Sequence, residues 1–187
     1  MNLTRLLTVV ALILCFAGGS AFAQSDKAKK QAELQKVVAA SLQEFYKKKP
    51  ELKGMVEKAP GYGVFTTYGL SFLVGGAGGK GLAHNNATKK DTYMHMAQAS
   101  AGLQAGVAST KVLIVFKDAK ALETFVTSGW EFGGSGGAGA GAGGKSVGSG
   151  GGSAVIADSD YFMLTKTGVQ AGGMVAGTKF WKDDDLN

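Results

Sequence analysis

The clearest periodicity in the chain lies between residues 26 and 49. Leu34, Val37, Val38, Leu42, Phe45 and Tyr46 recur at helical spacing along one stripe. Asp26 stands where a cap would start this helix, and Pro50 where it must stop. A short helical turn is predicted over residues 51–58, closed by Pro60-Gly61. Beyond Pro60 the pattern changes. Tyr62 to Tyr68 is aromatic and β-branched, Thr92 to Gln98 alternates apolar and polar, and Leu103 to Ala108 continues the theme. The run Val112-Leu113-Ile114-Val115-Phe116 reads as a strand buried on both faces, and Asn85-Asn86 before Thr88 as a turn. Asp118 can cap a short helix carrying Ala121, Leu122, Phe125 and Val126 on one face, which Gly129 stops. Ala154 to Ile156, Tyr161 to Lys166, Val169 to Gly177 and Phe180-Trp181 are strand-like again.

Together these elements predict an α+β fold. An N-terminal amphipathic helix accompanies strongly bent antiparallel β-sheets, barrel- or sandwich-like, with one short internal helix over residues 118–128. Glycine bears on how those sheets bend. Gly137, Gly139, Gly141 and Gly143 alternate with Ala138, Ala140 and Ala142. Period two is the signature of a strand, and small residues on both faces let backbones approach closely. The tract 129–152 is therefore expected to be ordered strand rather than linker, with similar small-residue patches at 75–79, 99–108 and 171–177.

The first residues are different in kind. Arg5 precedes an apolar run from Leu6 to Phe16, and Ala21-Phe22-Ala23 presents small residues around a large one. This is the layout of a secretory signal cleaved after Ala23, and the run is short for a bilayer span, which needs about 20 residues. The chain thus divides into a signal peptide at 1–23, a basic amphipathic helical segment at 24–58 and a glycine-rich β domain at 59–187. The expected location is the periplasm or cell envelope. Cys15, the single cysteine, follows Leu14 rather than a small residue, so lipidation there is not expected. Its removal with the signal leaves no disulfide or thiol chemistry.

Charge narrows the partners. The formal net charge is +6, and every basic residue except Arg5 is lysine. Lysine is a mobile, hydrated point charge, whereas arginine is the fork that grips phosphates and base edges in fixed geometry. A lysine-only basic protein fits a diffuse anionic surface and not sequence-specific nucleic acid. Lys27, Lys29, Lys30, Lys36, Lys47, Lys48 and Lys49 crowd the ends and polar side of the first helix and are the candidate lipid-binding residues. A helix with an apolar stripe and basic flanks can lie in a membrane interface. The same stripe can instead pack on the domain's own sheet, leaving the lysines solvated, and both hold if the stripe is core while the lysines face lipid.

Other motifs carry less. Gly139 to Ser146 matches the phosphate-loop spacing, but it lacks the buried strand before and the helix after that the mechanism needs. Gly76, Gly78 and Gly81 mimic a dinucleotide fingerprint with no following helix and no acidic partner about 20 residues on. His84 and His95 have only Asp91 nearby, short of the three ligands of a catalytic zinc, and Asp183 to Asp185 reads as a solvated acidic run. No serine sits in a nucleophile-elbow context. Asp158 and Asp160 read as loop residues. No enzyme activity, metal or cofactor is called for.

Four segments, in order, carry a resemblance. They are Ala59-Pro60-Gly61-Tyr62-Gly63-Val64-Phe65, Gly75 to Gly81, the stretch Ala105 to Phe116 with its glycine-then-apolar strand, and Gly168 to Gly177 followed by Thr178-Lys179-Phe180-Trp181. Over residues 50–187 the chain resembles the SYLF domain family, known for lipid-binding and actin-regulator members. The resemblance implies binding to phosphoinositides or other anionic phospholipids, partly through a basic amphipathic N-terminal segment, and a β-rich domain with an ordered glycine-rich tract. Residues 26–49 are the counterpart of that segment. Actin is not an expected partner for an exported chain. Without arginine forks, lipid selection is expected to follow charge rather than headgroup stereochemistry. The alternative function is an assembly module whose glycine-alanine strands pair with another chain, including by self-association.

Overall fold

A computed structural model describes all residues except 1–2, 73–75, 100–109, 133–146, 150–152, 156–157, 166–167, 172–173 and 176–177. The predicted strand over 103–108 and the glycine-alanine alternation at 137–143 lie outside the described residues.

Helix α1 runs from Leu3 to Lys48, further upstream than the stripe predicts. Asp26 is therefore inside the helix and not its cap. Ala21, Ala23 and Gln24 before Asp26 and the Ala, Gln and Lys positions after it are good helix formers with no proline to interrupt them, so the backbone continues through Asp26. Pro50 acts as expected and separates α1 from α2, Glu51–Lys58. After Ala59 the chain enters an eight-stranded sheet in which each recorded pairing is antiparallel. Its members are β1 (Gly61–Phe72), β2 (Gly76–Asn85), β3 (Asp91–Ala99), β4 (Lys111–Phe116), β5 (Trp130–Phe132), β8 (Ser159–Thr165), β9 (Gly168–Ala171) and β11 (Thr178–Lys182). The order across the sheet is β5-β11-β3-β2-β1-β4-β8-β9, and it curls into a half-barrel. A small sheet holds β6 (Val147–Ser149), β7 (Ser153–Val155) and β10 (Met174–Val175). Helix α3, Ala119–Ser128, connects β4 to β5. Its predicted punctuation is present. The Asp118 side chain accepts from the Lys120 backbone N–H, and Gly129 ends the helix at φ 69°.

The unbroken apolar run of β4 now has its reason. Leu113 and Val115 join Val64, Leu82, Tyr93, Phe162 and Leu164 in a core beneath α1 and α2. Val112, Ile114 and Phe116 join Phe65, Met94, Met96, Trp130 and Phe180 in a second core beneath α3. A strand covered on both faces has no polar face to show. Glycine permits the close approach on which the curl depends. A Cβ at Gly81 would lie 2.0 Å from the Val64 carbonyl oxygen and 2.6 Å from a ring carbon of Phe65, so the Phe65 ring packs where a side chain would be.

The second core contains a mismatch. Ser159 Oγ and Tyr161 Oη, two residues apart on β8, are buried and among the described residues have no hydrogen-bond partner. An unpaired buried hydroxyl costs about 1–3 kcal/mol. Tyr161→Phe is therefore expected to raise stability by about 1 kcal/mol in a denaturant titration, and a loss would show that the hydroxyl is paired in solution. Tyrosine also sets the alkaline limit of the fold. Burial raises the phenols of Tyr46, to about 12, and of Tyr62, Tyr93 and Tyr161. The unfolded chain then loses phenolic protons near pH 10, before the folded one does. The stability these groups contribute is fully present below about pH 10 and is lost as pH rises toward the folded values. The denaturation midpoint should fall between about pH 10 and 12, and a flat midpoint there would contradict the burial.

Candidate functional site

The buried residues of α1 fix which way its lysines point. Leu34, Val38, Leu42 and Phe45 are core, and Ser41 between them is 1% exposed. At 100° per residue, Lys29, Lys36 and Lys47 fall nearly opposite that stripe, while Lys30 and Lys48 fall on one flank. All five are exposed, and among the described residues none of them is ion-paired. Lys27 and Lys49 fall on the stripe side and are otherwise engaged. Lys27 Nζ donates to the Asn187 backbone oxygen at 2.5 Å. Lys49 pairs with Glu51 at 3.6 Å and lies 5.4 Å over the Phe162 ring. The seven predicted lysines thus separate into five that face solvent and two that brace the helix. Residues 24–58 hold nine lysines and five carboxylates. Glu44 is committed to Lys111, and Glu57 to Lys53 at 3.9 Å. The remaining positive charge is concentrated on the outward side of α1. Among the described residues no helix is long and apolar enough to cross a membrane.

Two histidine–carboxylate pairs hold this helix and the chain's last turn in place. His84 Nδ1 lies 2.6 Å from one oxygen of Asp91, whose other oxygen accepts from Gln35 of α1 at 2.9 Å. His95 Nε2 lies 3.0 Å from Asp183, which also receives Lys80 Nζ at 3.2 Å and the Leu186 backbone N–H at 3.1 Å. Asp183 is 3% exposed. The sequence reading of residues 183–185 as a solvated acidic run is therefore corrected at its first position. A buried carboxylate needs partners, and the Lys80 ammonium, the His95 ring and a backbone N–H supply them. The clamp seats Leu186 in the core, where Gln31 of α1 donates to its carbonyl at 2.7 Å. The available signal was Leu186, an apolar residue just past three aspartates. Asp160 also departs from its loop reading, since it lies on β8 and pairs with Lys117 at 2.6 Å. In both histidine pairs a structural donor takes the second carboxylate oxygen, which makes them braces. Among the described residues no group of three His, Cys, Asp or Glu is placed to hold a metal ion.

Strand β11 and the end of β3 also lie in the part of the chain that other proteins share. A family described as Las17-binding protein actin regulator, Ysc84, matches residues 97–187. The Beta cell expansion factor A of Aeromonas veronii is 31% identical over 145 residues, which cover 75% of this chain and 52% of that protein. Residues 97–187 thus match the Ysc84 (SYLF) domain, and this relative is of the same family. The SYLF match begins inside β3 and takes in β4, α3 and β11, so it contains the doubly covered strand β4 and Asp183, while the Asp183 partners Lys80 and His95 precede it. Helix α1, with the lysines, precedes it. The chain spans about half the length of the curated relative. The names carried by the SYLF family and by this relative are those of a regulator and an expansion factor, consistent with binding rather than catalysis.

Proposed function

We propose that this SYLF chain binds anionic phospholipid surfaces peripherally in the cell envelope, after export and cleavage behind Ala23. The observation that carries the reading is the division of α1 into a buried apolar stripe and an outward side of five exposed lysines, unpaired among the described residues. Membrane surface potential attracts such lysines, by about 1 kcal/mol each near the surface. The spacing also bears on how they act. Lys29 and Lys36 are about 10 Å apart along the helix, and Lys36 and Lys47 about 16 Å. Such ammonium groups meet separate headgroups rather than converging on one phosphate, so selection follows surface charge.

Co-sedimentation with neutral and anionic vesicles at low and high salt tests the reading. Binding to anionic vesicles alone, weakened by salt, is the expected result. Absence of binding to both would move the function to the assembly module.

A further inference from the structure

The sheet face beneath α1 extends beyond the helix, and there it forms a shelf. Cross-strand register sets Trp181 of β11 beside His95 of β3, and His95 beside Lys80 of β2. In the next row Lys179 stands beside Ala97, and Ala97 beside Gly78. Trp181, at 39%, is the exposed large hydrophobic among the described residues. Its indole is not loose. It stacks on the His95 ring at 5.3 Å and 23°, and His95 is held in turn by buried Asp183 at 3.0 Å. On the side away from His95 the chain passes Gly129, where a Cβ would come within 3.3 Å of Trp181 Cα, so no side chain stands there. The floor of the next row is equally low, since a Cβ at Gly78 would meet nothing within 4 Å among the described residues.

The charges around this shelf decide what fits it. Lys80 is neutralised by Asp183 at 3.2 Å and Lys179 by Glu131 at 3.1 Å. Asp184 and Asp185 are exposed just beyond. With no surplus of positive charge, the shelf does not draw a phosphate or an anionic membrane, unlike the outward side of α1. A rigid aromatic plane bordered by both donors and acceptors suits a neutral ligand with one apolar face and a rim of hydroxyls. A sugar ring has that chemistry: its C–H face lies on the indole, on the side away from His95, and its hydroxyls meet the Lys179–Glu131 pair. We propose that the Trp181 shelf is a subsite for a neutral saccharide, separate from the lysines of α1.

Fluorescence titration of the full chain with neutral hexose and N-acetylhexosamine trisaccharides, maltotriose and chitotriose among them, tests this. Trp130 is buried, so the response reports Trp181. A saturable change with one of these sugars is expected, with a Kd on the order of 1 mM. Read by ligand-observed NMR, which does not depend on the indole, Trp181→Ala should weaken binding by about tenfold or more and Trp181→Phe only a few-fold, because phenylalanine keeps an aromatic face. A Lys29, Lys36 and Lys47 to glutamine variant should bind the sugar unchanged. No saturable response to any trisaccharide, or an equal response from a folded Trp181→Ala, would overturn the proposal. So would a Trp181→Ala loss confined to anionic vesicles, which would make the shelf a lipid contact.

Discussion

Replacing Lys29, Lys36 and Lys47 together by glutamine is expected to lower affinity for anionic vesicles about 100-fold at low salt, while leaving the melting temperature unchanged. Three lysines at about 1 kcal/mol each amount to about 3 kcal/mol, or roughly two orders of magnitude in Kd. The fold should not register the change. All three side chains are exposed, none is ion-paired among the described residues, and glutamine is as good a helix former as lysine. The control is Lys49→Gln. That side chain pairs with Glu51 and lies over Phe162, so its loss should trim stability slightly and leave vesicle binding within about twofold. High salt should erase most of the difference between wild type and the triple variant, since exposed charges are screened over about 10 Å at 0.1 M. A triple variant that binds as well as wild type would remove α1 from the interface, and with it the proposed function.

The fold was legible wherever one periodicity ruled. The stripe of α1, the double-faced core of β4 and the Asp118 to Gly129 punctuation of α3 each need only local spacing, and each is present. The start of α1 was not legible. Asp26 is a good cap residue in isolation, yet the helix formers on both sides keep the backbone turning, and continuity wins over a single cap. The closing strands were read as one run over 169–177. The sheet instead places β9 at the edge beside β8 and β10 in the small second sheet, a division that depends on partners far away in sequence.

At the candidate site the limit was side-chain direction. Seven lysines near one helix look alike in a sequence, but 100° steps from Phe45 put Lys49 over the core and Lys47 opposite it. Asp183 shows the same limit in another form. Three aspartates in a row read as solvent-facing until Lys80 and His95, about a hundred residues earlier, are brought above the first of them by β2 and β3. Composition could not show that a carboxylate between two basic strand residues is a clamp.

Phe45→Ala is the complementary experiment, and its expected effect is on stability rather than binding. Phe45 is 0% exposed and shares its core with Leu42, Leu52 and Val56 of the two helices and Phe162 of β8. Cutting a fully buried phenylalanine to alanine costs about 3–5 kcal/mol, through lost transfer energy and the cavity left behind. In a domain of this size that corresponds to a fall of roughly 10 °C in the melting temperature. Vesicle affinity of the remaining folded protein should stay within about twofold, because the stripe is already satisfied by the sheet. The two variants therefore separate the two roles that an amphipathic helix can play. If the stripe were the membrane-inserting face, Phe45→Ala would weaken vesicle binding by burying less apolar area in the interface and would leave the melting temperature nearly untouched. Loss of stability without loss of affinity from Phe45, set against loss of affinity without loss of stability from the lysines, would assign the inner side of α1 to the fold and the outer side to the lipid.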